Sequence, residues 1–190
     1  RAHCGNNLKQ WGLAMEGYCL AHEVYPYGVI YGSASGPSAS IPETDGFIGN
    51  NGEWNRQTYV TALWPHMEQT NRYEEYDHLY CFYSTRNRHL TGEHAPYYTC
   101  PNERKGFWGA DQFTRRARGN YVVSWGDCDF HQTKPPGCKK GAFGANYQTR
   151  PATIRDGLSN TIFMGETLMA DLDDDWEYRG DFFIPDGGAA

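Results

Sequence analysis

Four acidic side chains alternate along the stretch ADLDDDWEY near the end of the chain. They are Asp171, Asp173, Asp175 and Glu177. Carboxylate oxygens held close together are ligands that suit Ca²⁺. The familiar calcium-loop pattern fails, however, because Trp176 stands where that loop needs Gly and Phe182 where it needs a bidentate Glu. Calcium is therefore a candidate cofactor of this stretch, and an acidic solvated loop is the alternative.

Cysteine thiols are the second group of side chains that could carry chemistry. The chain has six cysteines and no C-x-x-C pair: Cys4, Cys19, Cys81, Cys100, Cys128 and Cys138. The missing pair argues against zinc and against a thioredoxin-type site. An even count in a chain rich in Tyr, Trp and Gly favours disulfides and an oxidising, extracytoplasmic setting, the alternative being six unrelated buried thiols. We expect three disulfides and no free thiol.

Two pairings can be judged from the residues alone. Cys128 and Cys138 flank a Pro135-Pro136-Gly137 reversal that brings their ends together, which makes this bridge plausible. Cys4 and Cys19 cannot pair if the first stretch is a helix, because they would lie about 22 Å apart along it. The other connectivities stay open.

No catalytic constellation accompanies these residues. The run GSASG at 32–36 has Ala34 where a nucleophile elbow requires Ser. The sequence has no H-E-x-x-H motif, no P-loop and no G-x-G-x-x-G, and its seven histidines follow no metal-ligand spacing. We therefore expect that the protein is not an enzyme.

The charge balance argues against nucleic acid as a partner. The formal net charge of the 190 residues is −6. The densest basic group consists of Arg115, Arg116 and Arg118, which we interpret as part of a solvated loop rather than a phosphate-binding face.

The element that must organise these residues is a helix over residues 1–22. One stripe recurs at alternating steps of four and three: Cys4, Leu8, Trp11, Met15, Tyr18 and His22. Such spacing places side chains on a single helix face. Four residues off the stripe should face water or a second partner: Asn7, Lys9, Gln10 and Glu16. Two internal glycines weaken the helix, so it needs packing along the stripe and should be the spine of the core.

Further elements follow along the chain. Val60, Leu63, Trp64 and Met67 share one helical face within 54–77, and Pro65 should kink that helix or begin a new one. Residues 120–125 are typical of a strand closed by a turn. Asp156-Gly157 predicts a turn, Asn160 can bond local backbone, and 161–164 should be a buried strand.

Five stretches, in order, resemble motifs of one protein family. They are RAHCGNNLKQWGLAM at 1–15, LWPHMEQ at 63–69, YTCP at 98–101, NY at 120–121 and IRDGLSNTIFMGE at 154–166. Together they resemble the planctomycete-type pilin-like family, in which a prepilin-type N-terminal helix precedes a globular domain of unknown function. This family is related to type IV pilins and to the pseudopilins of type II secretion.

The resemblance implies a pilin-like α+β fold, in which a long N-terminal helix packs on an antiparallel sheet and disulfides pin the long loops. Residues 1–190 would form a single globular domain. Residues 1–22 would be the C-terminal half of the helix and 23–190 the head. The upstream half would be an apolar segment of roughly 20 residues that anchors the subunit in a membrane, and a C-terminal segment of the family would also lie outside the sequence.

The same resemblance bears on two other features. Cys4 and Cys100 both fall in family motifs, which implies a bridge between them and leaves Cys19 with Cys81. The Arg-Gly-Asp tripeptide at 179–181 falls where the family has a similar run, which implies a structural role rather than cell adhesion.

The function that the resemblance implies is structural. The protein would be a subunit of an extracellular pilus-like filament or pseudopilus, exported to the cell surface and self-associating through its N-terminal helix. The assembly helix would be the one that carries Cys4, Leu8, Trp11, Met15 and Tyr18. The alternative is a surface module that binds carbohydrate or another solute. Exposure of several of Trp54, Trp108, Trp125 and Trp176 on one face would favour it.

Overall fold

The computed structural model describes residues 2–30, 57–80, 82, 84–109, 115–127, 140–174 and 180–183. Its α-helices are α1 (Ala2–His22), α2 (Tyr59–Leu63), α3 (Thr70–Glu75) and α4 (Arg88–Thr91). Its strands are β1 (Phe107–Trp108), β2 (Arg116–Ala117), β3 (Tyr121–Val123) and β4 (Met164–Glu166). Short 3₁₀ helices cover Trp64–Met67, Pro151–Thr153 and Leu158–Asn160. The class is mixed α+β. Within these ranges, no helix has both the length and the apolar character needed to cross a bilayer.

Helix α1 has the extent and the buried face that the spacing predicts. Cys4, Trp11 and Met15 are buried, while Leu8 and Tyr18 are half-buried against the same core. Two further residues, Ala14 and Cys19, complete the buried face. His22 departs from the prediction and is exposed, because it ends the helix beyond the core, where its ring lies 4.2 Å from that of Tyr18.

The second helical region confirms both the buried set and the break at Pro65. Val60, Leu63, Trp64 and Met67 are all buried. The α-helical turn α2 gives way to the 3₁₀ helix at Trp64, with Pro65 in its first turn. This is the position at which the missing N–H of proline costs no hydrogen bond.

The strands form two small antiparallel sheets rather than one larger sheet. Strand β1 pairs with β2, and β3 pairs with β4 in the register Tyr121↔Glu166 and Val123↔Met164. Helix α1 packs beside β4. The expected turn is present, since Gly157 has a φ of 82° and Asn160 donates to the Asp156 carbonyl at 2.9 Å.

The predicted buried strand at 161–164 is wrong in its position. Strand β4 begins only at Met164, and Ile162 is 74% exposed. The 3₁₀ helix at Leu158–Asn160 occupies the preceding residues, so the chain becomes extended only beyond it. Phe163 alone of the early residues turns inward, with its ring 4.7 Å from that of Tyr25.

The solvated-loop interpretation of the arginines is also wrong. Arg115 is exposed, but Arg116 and Arg118 are buried. The guanidinium of Arg116 donates from Nε to Oδ1 of the buried Asp181 at 2.9 Å. Both buried guanidinium groups lie over the Trp108 ring, at 4.7 and 5.1 Å. These partners replace the water that a buried cation loses.

The Arg-Gly-Asp tripeptide has a structural role in its last two residues. Besides the contact of Asp181 with Arg116, Gly180 has a φ of 75°, and a Cβ there would lie 2.3 Å from the Gly119 carbonyl oxygen. Only glycine fits this approach. Arg179 lies outside the described residues.

Candidate assembly helix and its surroundings

The first half of helix α1 is attached to the segment 96–100 by a covalent bond and by polar contacts. Cys4 forms a disulfide with Cys100, as the family motifs implied. One turn later, the Asn7 side-chain amide donates to the Thr99 carbonyl at 2.9 Å. The Tyr121 hydroxyl donates to the Cys4 carbonyl at 3.2 Å. Asn7 was expected to face water or a partner, but these contacts half-bury it.

Trp11 continues this attachment through its ring. Its indole Nε1 donates to the Tyr97 carbonyl at 3.1 Å, and the side chain is wholly buried. Four aromatic rings surround it with centroid distances between 5.5 and 6.2 Å: Tyr59, Tyr97, Tyr98 and Phe182. Edge-on and offset ring pairs at these distances add to the stabilisation from burial. The buried part of the predicted stripe therefore belongs to the core of the described fold.

The opposite face of α1 is open to solvent and apolar in part. Leu13 is 63% exposed and Leu20 is 85% exposed. Residues seven apart lie close to the same angle on a helix, so the two leucines share one face, with Lys9 exposed beside them. A Cβ added at Gly12 would meet no atom within 4 Å. We call this the outward face and define it by Lys9, Gly12, Leu13 and Leu20. Of these four, the sequence had predicted only for Lys9 that it faces water or a partner.

The structure corrects one cysteine assignment. Cys19 is a free, buried thiol, so the expectation that no free thiol exists, and that Cys19 pairs with Cys81, is not met. The sulfur lies in the core, where burial raises its pKa and where a thiol packs as a small apolar group. Cys81, Cys128 and Cys138 lie outside the described residues, as does the predicted Cys128–Cys138 bridge.

The acidic stretch is partly described. Asp171 is exposed, and Asp173 accepts a hydrogen bond from the Phe107 backbone N–H at 3.0 Å and pairs with Arg104 at 2.5 Å. Burial opposes ionisation of Asp173, but these donors hold its pKa below the usual value. Its carboxylate therefore already has a cationic partner. Asp175 and Glu177 lie outside the described residues.

Groups of three metal-ligating side chains were sought throughout the described part of the chain. The group found there is Cys4, Cys100 and Glu166. Its two sulfurs are joined in the disulfide and are not thiolates, the form that binds metals.

The second half of α1 has a different neighbourhood, made of half-exposed rings. Tyr18 lies against His22 and, at 5.9 Å and edge-on, against His66. Its hydroxyl accepts a hydrogen bond from the Gln148 amide at 3.2 Å. Burial, followed by the proximity of His22, lowers the pKa of His66.

Of the four tryptophans considered for a sugar-binding platform, the two that the structure describes are not exposed. Trp108 and Trp125 are both buried, and Trp54 and Trp176 lie outside the described residues.

Comparison with protein families gives a match over nearly the whole chain. Residues 1–188 match SBP_bac_10, described as a protein of unknown function (DUF1559). The chain belongs to this family. A search of curated proteins found no match, and a search of solved structures found none either. Membership in the DUF1559 family agrees with the domain of unknown function that the sequence motifs indicated.

Proposed function

We propose that this DUF1559 protein is a non-catalytic structural subunit of an extracellular pilus-like filament or pseudopilus. Copies of the chain would associate through helix α1, and an apolar segment upstream of that helix would hold the subunit in the membrane before assembly. The order of prepilin-like motifs supports the proposal, as does a long N-terminal helix fixed along one side of an α+β head.

The observation that carries the proposal is the outward face of α1. The inner face of α1 is covered by the rest of the same chain, through the Cys4–Cys100 disulfide and the contacts of the buried Trp11. The outward face presents two leucines that are more than half exposed, next to a glycine with open space above it. Burying exposed leucine against a neighbour is favourable by roughly 1.5–3 kcal/mol for a complete burial. Glycine allows a close approach of the neighbouring backbone.

Site-specific photocrosslinking in cells that produce the full-length protein tests the proposal. A photoreactive phenylalanine analogue would replace Leu13 in one variant and Leu20 in another. Leu79 is a matched control, since it is 64% exposed but lies outside α1. We expect ladders of crosslinked multimers from positions 13 and 20, and only monomer from position 79.

Electron microscopy of the same cells supplies the second measurement. We expect surface filaments that the Leu20→Glu variant lacks and the Leu79→Glu variant retains. Crosslinking equal at all three positions, or filaments unaffected by Leu20→Glu, would show that α1 is not the assembly surface.

A further inference from the structure

A cleft at the C-terminal end of α1 is lined in large part by tyrosine and histidine rings. It encloses about 360 Å³, within the range of small-molecule sites. We call it the tyrosine–histidine cleft, because half of its twelve described lining residues are tyrosine or histidine: Tyr18, His22, Tyr27, His66, Tyr73 and His78. These rings come from α1, the 3₁₀ helix Trp64–Met67, α3 and the segments that follow α1 and α3.

The described lining contains no Asp, Glu, Lys or Arg. Two other clefts of similar size do contain carboxylates: Glu103 and Glu166 near the disulfide, and Glu68 beside Leu13. An ionised ligand loses hydration on entering a cleft and needs an opposite charge in return. A lining without such charges therefore favours a neutral ligand.

The rings are held in place by the surrounding structure. The imidazole of His66 lies against the backbone of α1, where a Cβ on Gly17 would be 3.0 Å from its Nδ1. His78 packs at 4.6 Å from the Tyr73 ring, and its carbonyl accepts a hydrogen bond from the Gln57 amide at 3.3 Å. Ring positions fixed in this way reduce the ordering cost of binding.

Hydrogen-bonding groups remain available between the rings. The hydroxyls of Tyr27 and Tyr73 have no hydrogen-bond partner among the described residues. The Thr58 and Thr61 hydroxyls are already used, since they donate to the carbonyls of Phe182 and Thr58 at 2.7 and 2.9 Å. Among the lining hydroxyls, those without a partner in the described part of the chain are thus on tyrosine rings that also form the apolar walls.

From this lining we propose that the tyrosine–histidine cleft binds a neutral pyranose sugar. A pyranose ring has one apolar C–H face, which can pack on a tyrosine or histidine ring, and a rim of hydroxyls, which can bond phenol and imidazole groups. The proposal does not depend on filament assembly, because the cleft lies within one subunit. It also differs from the tryptophan platform considered above, since no tryptophan lines the described part of the cleft.

Titration of the purified chain, followed by ¹H–¹⁵N NMR, tests the proposal. The probes are glucose, galactose, mannose and N-acetylglucosamine, each added alone, with glucuronate as the charged comparison. We expect saturable shifts with at least one neutral sugar, with a Kd on the order of 1 mM, confined to amides around the cleft. Glucuronate should bind more weakly than glucose. No saturable shift with any neutral sugar, or tighter binding of glucuronate than of every neutral sugar, would overturn the proposal.

Three variants assign the binding to the cleft. Tyr73→Ala removes one ring from the wall of the cleft and should lower the affinity for the bound sugar about ten-fold or more. Tyr73→Phe keeps the ring and should lower the affinity less. His89→Ala is the control, because His89 is exposed on α4, contacts Glu75 and lies outside the cleft. Equal affinity in Tyr73→Ala and His89→Ala, with the fold intact by circular dichroism, would contradict the assignment.

Discussion

The two halves of helix α1 have different surroundings. The first half is joined to segment 96–100 by the Cys4–Cys100 bond, the Asn7 amide and the wholly buried Trp11. The second half ends in Tyr18, which is half-buried, and His22, which is exposed, and both rings line the cleft. The contacts that tie the helix to segment 96–100 thus lie near its start, and the residues that line the cleft lie near its end.

Truncating one ring in each half should produce the largest contrast. Trp11→Ala removes the centre of a buried aromatic cluster, and we expect it to lower the free energy of unfolding by about 3–5 kcal/mol. Tyr18→Ala removes a half-buried ring and should cost less than half as much. Urea unfolding followed by tryptophan fluorescence and circular dichroism measures both. Equal losses would show that the two ends contribute alike.

Removing the covalent link should have the next largest effect. The double substitution Cys4→Ser, Cys100→Ser opens a loop with a sequence separation of 96 residues, and we expect a loss of about 2–4 kcal/mol. Cys19→Ala is the control in the other half, since Cys19 is a free thiol. It should cost only about 1 kcal/mol. A larger loss from Cys19→Ala than from the double variant would contradict this.

The smallest effect is a pH dependence that involves both regions. Burial lowers the pKa of His66, at the second half of α1, and of His94, near segment 96–100. The unfolded chain therefore binds more protons than the folded one just below the ordinary histidine pKa of about 6.5. Stability should be fully present above that pH and should fall as the pH decreases through it.

Substitution can separate the two histidines. The buried Nδ1 of His94 has no hydrogen-bond partner among the described residues, so a proton there would be poorly accommodated. We expect His94→Gln to flatten the slope of unfolding free energy between about pH 5 and 7 more than His66→Gln does. Chemical denaturation at several pH values gives these slopes. Identical slopes in both variants and the parent would show that neither histidine causes the pH dependence of stability.

The sequence predicted elements whose signal is local. Helix α1 and its buried face followed from spacing alone, and so did the break at Pro65. The burial of Arg116 could not be read in the same way, because its partner Asp181 lies 65 residues away. A charged side chain without a visible partner is naturally assigned to solvent. The prediction that Ile162 is buried was wrong for a similar reason. A short apolar run in the sequence does not show which of its side chains the rest of the chain covers.

The candidate surfaces were harder to predict than the fold. Leu13 and Leu20 stand off the buried stripe, and a leucine pair seven residues apart was the signal that could have identified the outward face. The tyrosine–histidine cleft has no motif at all, because separate segments contribute its residues and each is unremarkable alone. Only the folded chain brings these rings together. The buried Cys19 was misassigned because an even cysteine count was taken to mean complete pairing.

The Cys4–Cys100 bond also determines how the protein would carry a pulling force. Tension applied to the start of α1 reaches residue 100 directly through the sulfur atoms, because the bridge is a covalent shortcut past the intervening chain. Residues 5–99, which include α2, α3, α4 and the whole described lining of the tyrosine–histidine cleft, lie outside that load path. A force that pulls on the two ends of the chain is therefore carried by residues 1–4 and 100–190 and not by these elements.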